Sequence, residues 1–147
     1  MGAMENLVNC RLELGGPGRS SRELFDKFRA VLSYEVEDGK PINAKVLDER
    51  LWGASGVVYA RVHRGEIVYV GKADGQLGKR MKDHLRRIPL YSKEKDIKFR
   101  EWAEGKTITI YAHQPKPVKV LGLVVSAHAG LERALIDEFK PRFVARR

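Results

Sequence analysis

Two tyrosines, Tyr59 and Tyr69, stand ten residues apart, and Arg80 and His84 follow four residues apart. A free phenol releases its proton only near pH 10, but beside a base such as His84 or Lys72 it can orient a water and help to deprotonate it. An arginine presents a planar fork of donors that grips anionic oxygens. Much later, in GLERALIDEFKP, Glu132 projects between Leu135 and Ile136 on a helix and so borders the apolar stripe. A carboxylate there is costly unless it is paired or binds a metal. The set can move a proton, hold an anion and offer one metal ligand. Taken singly, each residue has a plainer reading: a packing tyrosine, a surface arginine, a solvated histidine, and a glutamate paired with Arg133 or Lys140.

The elements that must position these residues can be read from the pattern. Val57 to His63 alternates, with Val58, Ala60 and Val62 on one face and Tyr59, Arg61 and His63 on the other. That is a half-buried strand. Arg64-Gly65-Glu66 makes a hairpin turn, and Ile67 to Val70 returns, with Val68 and Val70 inward and Tyr69 beside Ile67 on the opposite face. Asp74 is placed to cap the next helix. Leu77, Met81, Leu85 and Ile88 form its buried stripe, and Arg80 and His84 share an adjacent ridge. Pro89 ends it. A second, basic helix spans Ser92 to Ala103, anchored by Ile97, Phe99 and Trp102, with Gly105 as its stop. Lys106 to His113 reads as a third strand and Gln114 to Gly122 as a loop or extended edge. The last helix runs from Ser126 to Phe139. Upstream, Leu7 to Leu14 alternates as a strand, and Ser20-x-x-Glu23 opens a helix predicted over Ser21 to Tyr34. Glu37 to Pro41 is a loop, and a short helix is expected around Val46 to Leu51.

The 147 residues suit one domain with a real core. The expected organisation is residues 1–55 as a strand-and-helix extension packed on a core of residues 56–147. The net charge is +9 and the pI about 9.8, which favours polyanions, nucleic acid above all. Nine Lys/Arg against three Asp/Glu fall between Lys79 and Arg100, giving +6 of that charge. The single cysteine, Cys10, excludes an internal disulfide and a zinc framework. His63, His113 and His128 lack metal-ligand spacing. With no signal peptide, no apolar run long enough for a span and no disulfide, an intracellular, cytoplasmic protein without membrane attachment is expected.

The ordered set Val57-Val58-Tyr59, Tyr69-Val70-Gly71, Arg80, His84 and Glu132 resembles the GIY-YIG nuclease family, over about Gly56 to Pro141. Val57 stands where the family motif has its first glycine, and Val144 is the nearest counterpart of an asparagine that many members carry after the C-terminal proline. The resemblance implies an α/β (α+β) fold with a central three-stranded antiparallel sheet flanked by helices, the N-terminal strand and helix being an added layer. It implies a metal-dependent DNA endonuclease of the small phage or restriction type, leaving 5′-phosphate and 3′-hydroxyl ends. Tyr59 would activate water, Tyr69 would bind the phosphate or water, Arg80 would stabilise the phosphate, and His84 or Lys72 would assist Tyr59. Gly71 and Lys72 would support the site, and Glu132 would hold one Mg²⁺ or Mn²⁺. Lys79, Lys82, Arg87, Lys93, Lys95 and Lys98 would meet the backbone of double-stranded DNA, and cutting both strands would call for a homo-oligomer or sequential nicks. The alternative reading is a catalytically weak nucleic-acid-binding module that keeps the fold.

Overall fold

A computed structural model describes residues 26–144. Among these residues the full elements follow one another as β1 (Arg29–Glu37), β2 (Lys40–Val46), α1 (Glu49–Trp52), β3 (Val57–His63), β4 (Glu66–Ala73), α2 (Leu77–Arg87), α3 (Glu94–Ala103), β5 (Thr107–His113), β6 (Val118–Val120), β7 (Leu123–Val125) and α4 (Ala127–Phe139), with a 3₁₀ turn at Ile88–Leu90. The central sheet has five strands in the order β2-β1-β5-β3-β4, and every neighbouring pair is antiparallel. The expected three strands are present, and β1 and β2 extend them.

These two strands correct the helix expected over Ser21 to Tyr34, of which Asp26 is helical but Arg29 to Tyr34 belong to β1, and they place sheet strands where only an added layer is expected before the core. The physical reason lies in burial. β1 lies between β2 and β5, and it sends Val31, Leu32, Tyr34 and Val36 into one core and Ala30 into the other. A strand covered on both faces has no alternation, and its apolar spacing mimics a helix. The strand expected at Leu7 to Leu14 lies outside the described residues. The helix expected at Val46 to Leu51 is the single turn α1, capped by the Asp48 carboxylate, which accepts from the Leu51 N–H at 3.0 Å.

Helices cover both faces of the sheet. On one, Leu77 and Met81 of α2, Ile88 and Phe99 and Ala103 of α3 pack on Val57, Val68 and Ile110. On the other, Leu135 and Ile136 of α4 pack on Val58, Ala60, Val62 and Val70. The β3–β4 hairpin keeps Tyr59 opposite Gly71 and Arg61 opposite Tyr69, but the register then shifts so that Val62 faces Ile67. Val68 is the extra residue of this bulge. It turns toward the α2–α3 core while Ile67 joins the α4 core, so the expected pairing of Val68 with Val70 and of Ile67 with Tyr69 does not hold past the bulge. A bulge re-aims side chains in this way, and Tyr69 stays on the face of Tyr59 because it precedes the slip. Gln114 to Gly122 is not a plain loop: β6 and β7 form a small separate hairpin. None of its strand residues is buried, which leaves no core-facing alternation to read. Among the described residues no helix is long and apolar enough to cross a membrane.

Candidate active site

Tyr59 enters from the middle of β3 and is only 1% exposed. Its ring lies 6.2 Å from that of Tyr69, inclined at 29°. This approach depends on Gly71, the residue paired with Tyr59. A Cβ at position 71 would lie 2.6 Å from the Tyr59 hydroxyl and 2.9 Å from Tyr69 Cε1. Gly71→Ala is therefore expected to lower folding stability by about 1–3 kcal/mol through overpacking, read from urea unfolding. An unchanged midpoint would mean that the two rings are loosely held.

Burial, and then Tyr59, push the Tyr69 phenol up to about 12, so at neutral pH it is a hydrogen-bond donor rather than a base. Arg80 stands on the exposed side of α2. Its guanidinium holds its proton more tightly than usual, first through charge interaction with Tyr59 and then through hydrogen bonding to the same phenol. Asp74 does not cap α2. The N-cap is Gln76, without a side-chain bond, and the Leu77 N–H donates to the Ala54 carbonyl at 2.8 Å. The Asp74 carboxylate instead accepts from Lys72 Nζ at 3.0 Å and meets His128 Nε2 at 2.6 Å. These bonds, His128 first, hold it below the usual carboxylate range. They tie the start of α4 to the end of β4, and they hold Lys72 at the mouth of the site.

His84 is 8% exposed and faces two phenols, Tyr34 at 2.8 Å from Nε2 and Tyr91 at 3.3 Å from Nδ1. Either neutral tautomer can donate to one and accept from the other. Burial first, then Arg61 and Arg80, push its pKa well below the ordinary histidine value. A folded histidine kept neutral binds fewer protons than the unfolded one below about pH 6.5, so its contribution to stability is full above that pH and is lost as pH falls toward the depressed value. His113 is lowered in the same direction by partial burial. Urea unfolding at falling pH should show a loss approaching about 1.4 kcal/mol per unit from His84. His84→Gln should flatten this slope, and an equal slope in both proteins would reject the buried neutral ring.

Two clefts adjoin at Tyr69 and Arg80. One, of about 330 Å³, is lined by Tyr59, Arg61, Tyr69, Arg80 and His84, among others. The other, of about 680 Å³, is lined by Lys72, Asp74, Lys79, Arg80, Asp83 and Glu132, with Tyr69 and Gly71. Glu132 belongs to α4, which packs on the opposite face of the sheet, but β4 is the edge strand, so Glu132 reaches the cleft round that edge. Tyr59 and Glu132 thus line two neighbouring clefts, joined by Tyr69 and Arg80, rather than one. Glu132 is half-buried. Arg133, its suggested ion-pair partner, pairs with Asp137 at 3.5 Å instead, and no partner for Glu132 occurs among the described residues.

The basic residues divide. Lys79 lines the Glu132 cleft. Arg87 lines the Tyr59 cleft but pairs with Asp83 at 3.5 Å. Lys93, Lys95 and Lys98 border a third cleft together with Val144, while Lys82 is exposed and lines none of the three. Three residues of the site were not singled out from sequence. Arg61 was legible as a neighbour of Tyr59 on the same strand face. Tyr34 was hidden by the helical reading of β1, and Tyr91, beyond the end of α2, gave no signal.

No protein-family model and no curated sequence matches the chain. Solved structures that align with the chain include the following two. A mutant of bacteriophage T4 EndoII aligns with a TM-score of 0.57 and 21% identity, over 82% of this chain and 95% of that one. The restriction endonuclease HPY188I in complex with product DNA aligns with a TM-score of 0.49 and 17% identity, over 90% of this chain and 83% of that one. The first likeness shows that the chain shares its overall fold with EndoII.

Proposed function

We propose that the chain is a metal-dependent DNA endonuclease of the GIY-YIG type, acting on double-stranded DNA. The observation that carries this reading is Glu132: a half-buried carboxylate, without a partner among the described residues, brought round the sheet edge into a cleft with Arg80 and Tyr69. The fold shared with EndoII agrees with it.

A divalent ion fits the residues present. No cluster of three or more His, Cys, Asp or Glu forms a metal cage among the described residues; in the Glu132 cleft Asp74 is held by Lys72 and His128 and Asp83 by Arg87, and a carboxylate left without a partner among those residues would suit Mg²⁺ or Mn²⁺, with Mg²⁺ in particular keeping several of its waters. Glu132 would hold it. When bound, the ion supplies positive charge to the phosphoryl oxygens and the leaving 3′ oxygen. The protein does the rest. Arg80 offers an exposed fork to the scissile phosphate. Tyr59, seated against Gly71 and Arg80, orients the attacking water. Tyr69, protonated at neutral pH, donates to the phosphate. Lys72, held by Asp74, lines the Glu132 cleft and supports the site from there. His84 bonds Tyr34 and Tyr91 rather than Tyr59, so its part is to position the wall of the site. Hydrolysis leaves a 5′-phosphate and a 3′-hydroxyl, and one site cuts one strand.

The test is conversion of supercoiled plasmid to nicked circle. Nicking should need Mg²⁺ or Mn²⁺ and stop in EDTA. Salt-sensitive DNA binding without nicking in any divalent ion would replace the enzyme with a binding module.

A further inference from the structure

The mechanism above leaves one buried cation unused. Arg61 of β3 is 8% exposed. Its guanidinium carbon lies 3.8 Å from the centre of the Tyr69 ring and 4.7 Å from that of Phe99. The two rings cover the faces of the guanidinium, so only its in-plane N–H donors remain to bond. Nε is buried and has no acceptor among the described residues. No carboxylate pairs with it there either. Burial opposes its charge, and the titratable groups that act on it are phenols, Tyr34, Tyr59, Tyr69 and Tyr91, rather than carboxylates. A buried cation with an open donor and no acid beside it is unfavourable until an anion arrives.

Arg61 also joins two spaces. It lines the cleft of Tyr59 and Arg80, and it lines the third cleft, of about 440 Å³. That third cleft collects Lys93, Lys95, Lys98 and Arg142 against one carboxylate, Asp96, and its apolar wall is Phe99 and Phe143. Arg142 is partly answered by Glu66 at 3.0 Å and Lys98 by Glu94 at 3.9 Å. Arg61 has no such partner among the described residues and is the deepest of the five.

We propose that the third cleft is a subsite for one nucleotide flanking the scissile phosphate, with its phosphate on the in-plane donors of Arg61 and its deoxyribose against Phe143. This rests on the endonuclease reading, deepens it, and gives the substrate strand a direction, from Arg80 past Tyr69 to Arg61. The subsite reads phosphate and sugar, so it serves any sequence.

The test uses the full chain, a labelled DNA duplex and EDTA, with binding followed by fluorescence anisotropy over a range of salt. Arg61→Met keeps length and apolar bulk between the two rings and removes the charge. It should bind duplex about 10- to 100-fold more weakly, as for loss of a charge-assisted bond, and the slope of log affinity against log salt should fall by about one. Its thermal midpoint should equal or exceed the parent's, because the buried open donor is gone. Parent-like affinity and slope would overturn the subsite. So would weaker binding with an unchanged slope and a lowered midpoint, which marks Arg61 as structural. Neutralising single phosphates as methylphosphonates should weaken the parent at one position where Arg61→Met is indifferent. An indifferent position at the phosphate that the parent cleaves, rather than beside it, would also overturn the proposal. The binding arm does not need cleavage: a chain that binds through Arg61 but never nicks plasmid keeps the phosphate site and loses the nuclease reading. A variant that binds like the parent does the reverse, and a parent that does not bind DNA loses both.

Discussion

Glu132→Gln is expected to lower plasmid nicking by about 10³-fold, the scale on which a group that stabilises transition-state charge acts, while duplex binding in EDTA changes little. The substitution keeps shape and hydrogen-bonding capacity but removes the negative charge that would hold a divalent ion. The structure separates this outcome from a trivial one. Glu132 is half-buried at the sheet edge without an ion-pair partner among the described residues, and Arg133 is engaged with Asp137. Removing its charge should therefore leave the thermal midpoint unchanged or raise it, because an uncompensated carboxylate is relieved of partial burial. A structural glutamate would give the opposite pair of results: a lower midpoint and nicking that falls only with the folded fraction. Nicking at the parental rate would remove Glu132 from the site altogether. Raising Mg²⁺ or Mn²⁺ supplies a further check. Weakened metal capture should be partly recovered at high metal concentration, whereas a carboxylate acting as a base should not.

The parts of this site that could be read in the sequence are those on elements whose two faces differ in chemistry. β3 is buried on both faces, but Val58, Ala60 and Val62 meet α4 while Tyr59 and Arg61 line the cleft, so Tyr59 and Arg61 could be placed on the same side of the strand. The stripe of Leu77, Met81 and Ile88 fixed the rotation of α2 and with it the outward side of Arg80. His84, one turn later, was less legible: its ridge looked solvated but meets Tyr34 of β1, a strand whose two-sided burial had been taken for a helix. The projection of Glu132 between Leu135 and Ile136 was legible too, but the cleft it reaches was not, because that depends on β4 being the sheet edge. Edge position is set by where β1 and β2 join, on the far side of β5. The bulge at Val68 was invisible for a related reason: a one-residue slip leaves an apolar residue on either face, and both faces here are buried.

Arg80 offers the second large effect and the sharper test of how the site works. Arg80→Met should reduce nicking by about 10²- to 10³-fold, with stability nearly unchanged because the side chain is exposed. Arg80→Lys restores the charge but not the planar fork, and it should recover only part of the loss; full recovery would reduce Arg80 to a point charge near the phosphate. Tyr59 contributes the leading influence on the Arg80 guanidinium, by charge and by hydrogen bonding, so the two residues should act as a unit. Single-turnover rates for Arg80→Met, Tyr59→Phe and the double variant measure this. If the guanidinium stabilises the phosphate while also holding the phenol in place for the water, the double variant should be scarcely slower than the worse single one, since either change already dismantles the arrangement. If the losses instead multiply, Arg80 and Tyr59 act independently, and the contact between them serves packing rather than the alignment of water with phosphate.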